Sequence, residues 1–194
     1  MAFASLEQWV DGLQTQGRYT FLRAEAIGAS GRSANAVKKA LQRLTRRGRV
    51  AKVKDYFYVI VPLEYANAGA PPPAWFVHDL MAAMRLPYYV GLLSAAGLHG
   101  ASHQQPQEFH VVTDRSVRPL NVGRTRIRFF ASKYVSSASV ATMKTPTGSM
   151  RVSTLETTVV DLVRFAKAAG HLDHVAAVIA DLAPKLDPKS LASA

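Results

Sequence analysis

The chain has 194 residues, 48% of them hydrophobic and 19% charged, a formal charge of +11, and no cysteine. Such a balance gives one large or two small globular domains rather than a disordered tail. The missing cysteine removes disulfides, thiolate catalysis and Cys-ligated zinc, and it fits a reducing cytoplasm.

Met1 to Gln16 reads as an amphipathic helix with Phe3, Leu6, Trp9, Val10 and Leu13 on one stripe. Glu7 and Asp11 within it argue against a secretion signal, and no apolar run approaches the roughly 18 residues of a membrane span. Gly17 to Thr20 breaks the helix, with Thr20 able to cap a short second helix over Leu22–Ile27. Gly28-Ala-Ser-Gly31 is a glycine-bearing turn into a third helix, Ser33 to Arg47, whose ends carry a capping serine and Gly48.

Val37, Ala40, Leu41 and Leu44 follow helical spacing on one side of that third helix; Asn35, Lys39, Gln42, Arg43 and Arg46 lie on the other. From Arg32 to Lys54 there are nine basic residues and no acidic one: Arg32, Lys38, Lys39, Arg43, Arg46, Arg47, Arg49, Lys52 and Lys54. A run of like charge repels itself unless something negative sits opposite, and phosphates of nucleic acid are the commonest such polymer. Asn, Gln and Arg are side chains that hydrogen-bond base edges in pairs. Val50–Val53 and Phe57–Val61, turning at Lys54-Asp55-Tyr56 and closed by Pro62, read as a two-stranded wing. Residues 1–62 are therefore expected to form a winged helix-turn-helix domain. Its DNA-binding set is Arg32, Ser33, Asn35, Lys38, Lys39, Gln42, Arg43, Arg46, Arg47, Arg49, Lys52 and Lys54. Eleven of the 24 basic residues and only four of the 13 acidic ones fall in this first third.

Ala68-Gly-Ala-Pro-Pro-Pro73 suggests an extended linker over residues 63–74. A second domain, 75–194, is expected to be α+β, with a small antiparallel sheet and C-terminal helices. It opens with a helix over Trp75–Leu86, stopped by Pro87, and a small-residue helix over Gly91–Leu98. Strands are expected at Gln107–Thr113 and at Arg124–Ala131, the latter with Arg124, Arg126 and Arg128 on one face. Val140–Lys144 and Met150–Val152 flank the hairpin turn Pro146-Thr147-Gly148. Ser153-Thr-Leu-Glu156 reads as a capping box starting a helix with Leu155, Val159, Leu162, Val163 and Ala166 inward and Asp161 outward. Leu172–Leu182 is a further helix, and Asp187-Pro188 starts a last one that stops at Ala194.

Three stretches together resemble the AbiEi family of bacterial antitoxins, from type IV (AbiE) toxin–antitoxin and abortive-infection systems that act in phage defence. They are Leu41-Gln-Arg-Leu44 through Arg47-Gly-Arg-Val50 with the aromatic wing Tyr56-Phe-Tyr58; Tyr88-Tyr-Val-Gly-Leu-Leu-Ser-Ala-Ala96 with His99-Gly100; and Val152-Ser-Thr-Leu-Glu-Thr-Thr-Val-Val-Asp161. Leu155 stands where the family commonly has proline, and the chain stops where the resemblance would place further helices. The resemblance implies an N-terminal domain that binds inverted repeats in the promoter of its own operon and represses it. It implies a C-terminal domain that counters an AbiEii-like nucleotidyltransferase toxin without requiring a stable complex, in the cytoplasm. It implies no enzyme activity and no cofactor. The alternatives are a winged-helix regulator that senses a small ligand and a nucleic-acid enzyme with a winged-helix targeting module.

Arg115, Arg118, Arg124, Arg126 and Arg128 form a second basic cluster in the sequence, an auxiliary contact to DNA or to an acidic partner, or else a solvated sheet face. His171 and His174 have a metal-pair spacing but no evident third ligand, and His99 and His110 belong to no triad pattern. Glu108, Asp114 and Lys133 do not form the converging carboxylates that metal-assisted hydrolysis needs.

Overall fold

The structure, a computed structural model, describes residues 5–101 and 108–192, so Phe3, Gln107 and the final Ala194 lie outside it. The chain is α+β and divides into two units. The first contains residues 5–83 with Leu120–Thr125 and Thr145–Gly148, and the second holds the remaining described residues. Among the described residues no helix is long and apolar enough to cross a membrane.

The first unit begins with α1 (Leu6–Thr15), whose N-terminus is capped by Ser5 accepting from the Gln8 amide at 3.2 Å. Then follow β1 (Thr20–Leu22), α2 (Arg23–Ser30), α3 (Ala34–Arg46), β2 (Val50–Lys54) and β3 (Phe57–Ile60). β3 is the middle strand of three and runs antiparallel to both neighbours. Thr20, expected to cap a helix, is instead in β1 and donates its hydroxyl to Asp79 Oδ2 at 2.5 Å. The cap of α2 is built the other way round: Glu25 reaches back to accept from the Leu22 amide at 2.7 Å. The expected turn at Gly28 is shorter than the sequence suggested, because α2 runs through Ser30 and the chain reverses at Gly31, which holds φ 59°.

Apolar faces of the three helices close over the sheet through Trp9, Leu13, Phe21, Leu41 and Tyr58, all under 8% exposed. Trp9 meets Phe21 edge-on at 5.1 Å, and Phe21 stacks on Tyr58 at 5.5 Å. Residues 63–74 do not run extended. Leu63–Tyr65 and Pro73–Trp75 are 3₁₀ turns, and Ala70, Pro71 and Pro73 are buried. Proline's fixed φ suits a 3₁₀ turn as readily as an extended chain, so the prolines alone could not decide. The unit continues into α4 (Val77–Met84), shorter than expected, and takes in the short strand β6 (Leu120–Val122) from further along.

The second unit contains β4 (Tyr88–Val90), α5 (Leu92–Leu98), β5 (Glu108–Thr113), β7 (Thr125–Ala131), β8 (Val140–Thr145) and β9 (Gly148–Ser153). Helices α6 (Leu155–Arg164), α7 (His171–Leu182) and α8 (Pro188–Ala192) follow. Its strands lie in the order β7-β5-β4-β9-β8. The sheet is mixed rather than purely antiparallel: β5 is parallel to β7, β4 parallel to β9, and β4 antiparallel to β5. Tyr88–Val90, expected only as a lead-in to a helix, is a fully buried central strand. Its Tyr89 joins Leu92, Val112, Phe130, Leu162, Val178 and Leu182 in the core beneath α5, α6 and α7.

Candidate nucleic-acid interface

α3 offers two chemically opposite sides. Val37, Ala40, Leu41 and Leu44 are between 0% and 9% exposed and dock the helix on its unit. Asn35, Lys38, Lys39, Gln42, Arg43 and Arg46 are exposed. Ser33 caps the helix by accepting from the Ala36 amide at 3.3 Å, and Gly48 just past the end holds φ 70°, where an L side chain is strained. Both stop signals read in the sequence therefore fix the length of the basic helix.

The surroundings of these cations separate them into two groups. Arg47 meets Glu7 of α1 at 3.5 Å, Arg49 is ion-paired with Asp11, also of α1, and Lys52 meets Asp55 at 3.0 Å. The run that faces no acid in sequence thus meets three carboxylates in space. Arg32, Lys38, Lys39, Arg43, Arg46 and Lys54 have no carboxylate within ion-pairing distance among the described residues. These six positive charges, with no ion pair among the described residues, flank the exposed amides of Asn35 and Gln42, a surface suited to phosphates and base edges.

One basic residue that the sequence reading passed over belongs with them. Pairing of Leu22 with Phe57 brings Arg23 to the β2–β3 turn, where its amide donates to the Tyr56 carbonyl at 2.8 Å. The hydrogen bond from Lys52, aided by the charges of Lys52, Arg23 and Lys38, holds the Asp55 carboxyl below its ordinary range. Arg23 stands alone in the sequence, so only strand pairing reveals that it reaches the β2–β3 turn.

The five clustered arginines, four of them in the second unit, have unlike surroundings. Arg126 and Arg128 converge on Glu108 at 3.3 and 3.4 Å, and Arg115 pairs with its neighbour Asp114 at 3.0 Å. Arg118 and Arg124 are exposed without an ion pair among the described residues, and Arg124 counts with the first unit. Glu108 and Asp114, weighed as nuclease carboxylates, are thereby occupied by guanidinium groups. Among the described residues no three His, Asp or Glu side chains are placed to hold a metal ion, His171 and His174 included.

His110 is 3% exposed, lies edge-on to Phe130 at 5.1 Å, and has no hydrogen-bond partner at Nδ1 among the described residues. Burial pushes its pKa down to about 4, against the upward pull of Glu108. Asp161, expected on the exposed side of α6, is 1% exposed and accepts from the Tyr89 hydroxyl at 2.7 Å and from Arg164 at 3.2 Å. Burial raises the pKa of this carboxyl, while Tyr89 and Arg164 oppose the rise. Val163, expected inward, is 57% exposed. The cap of α6 is Thr154, which accepts from the Thr157 amide at 3.4 Å. Ser153, expected in that role, is buried and shares a 2.7 Å hydrogen bond with Thr158.

These contacts bring the second and third motif stretches together in space. Tyr89 and Asp161 meet across 72 residues, and Val90 pairs with Val152 in parallel strands. Gly91 lies between Tyr89 and Leu92 because a Cβ there would come within 2.8 Å of Val112 Cγ2.

The chain thus carries a basic, capped helix exposed on one unit and has a second unit of mixed sheet and helices. The family model of the AbiEi antitoxin C-terminal domain matches residues 89–194. That match covers more than half of the chain, and the chain belongs to the AbiEi antitoxin family, a family of antitoxins whose general counterpart is a toxin. Among solved structures it is similar to the RV2827C protein from Mycobacterium tuberculosis, with a TM-score of 0.67 and 14% identity. The similarity covers 95% of this chain and 69% of that one, and at this identity it speaks for the fold alone. No curated protein matches the sequence significantly.

Proposed function

We propose that this antitoxin binds double-stranded promoter DNA, at inverted repeats upstream of its own operon, and represses it. In this reading the first unit is a winged helix, α3 enters the major groove, and β2–β3 is the wing beside it. Asn35 and Gln42 read base edges, Arg43 spans a base edge and a phosphate, and Arg32, Lys38, Lys39, Arg46 and Lys54 hold phosphates, with Arg23 at the wing turn. Arg47, Arg49 and Lys52 orient the helix and wing through their carboxylate partners. The second unit counters a nucleotidyltransferase-like toxin, and a lasting complex is not required for that.

The observation that carries the DNA reading is the exposed face of α3, basic and amide-bearing, opposite a stripe that is at most 9% exposed. Fluorescence anisotropy with the promoter duplex and a scrambled duplex of equal length tests it. Preference for the promoter by about 10³-fold or more is the expected result. Equal affinity for both would remove the sequence-reading role, and absence of binding would remove DNA from the account.

A further inference from the structure

The corner between α6 and α7 exposes apolar side chains that its own unit does not cover. Val163 is 57% exposed and Leu172 is 70% exposed. With Phe165, Ala166 and Ala168 they line a groove of about 380 Å³, bordered by Arg164 and Lys167. Its floor is well supported. Phe165 lies against Phe130 at 5.3 Å, and Arg128 sits over Phe130 at 5.1 Å while donating to the Ala168 carbonyl at 3.4 Å.

The rim is mostly positive. The guanidinium of Arg164 lies 4.7 Å from the ring centre of Tyr134, Lys133 is 5.1 Å from the same centre, and Tyr134 is itself 45% exposed. Nearby carboxylates are largely committed: Asp161 is buried under Tyr89 and Arg164, and Glu108 is shared by Arg126 and Arg128. Asp173 in the first turn of α7 is the exposed exception. An apolar slot with a cationic, aromatic rim complements an amphipathic segment whose polar positions are acidic.

We propose that this corner is the docking groove for an acidic segment of the toxin. One or two of its apolar side chains seat between Val163 and Leu172, and its carboxylates meet Lys167 and Lys133, with Arg164 held by Asp161 at the edge of the groove. The inference rests on the antitoxin reading and adds the place and chemistry of contact. A short-lived encounter through such a groove is compatible with the lack of a lasting complex.

The test uses the full chain in cells expressing the toxin gene next to its own, with a photo-crosslinking residue at position 172 or at the control position Ala177. Crosslinking to the toxin from position 172, at least tenfold above Ala177, is expected. L172D and K167E should each lower growth rescue at least tenfold while keeping the parental urea midpoint and promoter affinity. Rescue at the parental level by the L172D/K167E double variant, or no crosslink from position 172 while the intact chain rescues growth, would overturn the groove. Failure of the intact chain itself to rescue would overturn the antitoxin reading, and the groove with it.

Discussion

Replacing Lys39 and Arg43 by alanine tests the proposed interface at its centre. Both side chains project from the exposed side of α3, and neither has a carboxylate partner among the described residues. A protein that neutralises Z phosphates loses affinity with a slope of about −0.9Z in log K against log salt. The six cations of α3 and its flanks that make no ion pair among the described residues give a slope of about −5 for one copy on duplex DNA, a loss of about a thousandfold between 50 and 200 mM salt. K39A/R43A should flatten the slope by about 2, and loss of a base contact at Arg43 should cost a further ~1–3 kcal/mol of discrimination against a wrong base. Arg49, already ion-paired with Asp11, gives the contrast: R49A should leave the slope within one unit of the parent. Anisotropy titrations of promoter duplex at four potassium chloride concentrations measure all three proteins. A parental slope for K39A/R43A, or a flattening by R49A equal to that of the double variant, would refute the assignment of free and occupied cations.

Other expectations follow from buried groups. L41A empties a fully buried site beneath α3 and should cost about 2–5 kcal/mol of stability by urea unfolding, weakening DNA binding without altering the exposed face. His110 stays neutral in the fold with its pKa near 4 against an ordinary value of 6.5, so its contribution to stability is complete above about pH 6.5 and is lost as pH falls towards 4. The shift corresponds to about 3 kcal/mol, and comparing urea midpoints of H110L and parent at pH 7.5 and 4.5 isolates it from Asp161, whose raised pKa acts with the opposite sign. Y89F leaves the buried Asp161 carboxylate without its hydroxyl donor and should cost about 1–3 kcal/mol. D161N keeps an acceptor for Tyr89 and removes a buried charge, so it should cost less than Y89F by the same unfolding assay.

The parts legible in the sequence were those with local grammar. α3 had a four-residue stripe, a capping serine and a closing glycine, and its observed span, Ala34–Arg46, falls within one residue of the expected ends. The β8–β9 hairpin was legible because its turn residues lie between two alternating runs. Strands β1, β4 and β6 have three residues each, too few to display a period, and β1 and β4 exist through pairing with distant segments. Asp161 was misread for a related reason. An acid on an amphipathic helix reads as exposed unless its partner is known, and Tyr89 lies 72 residues earlier. The candidate site followed the same division. Its basic helix was local and visible, whereas the pairing of Arg47 and Arg49 with α1 and the approach of Arg23 to the β2–β3 turn required the fold.

The central claim is a division of labour, with DNA held through α3 and the toxin countered elsewhere on the chain. Its most direct measurement is growth of cells in which the neighbouring toxin is induced while this protein, or its K39A/R43A variant, is supplied from a separate promoter. The account expects both to restore growth equally, although the variant no longer holds promoter DNA. No restoration by either, or restoration lost only in the variant, would contradict it.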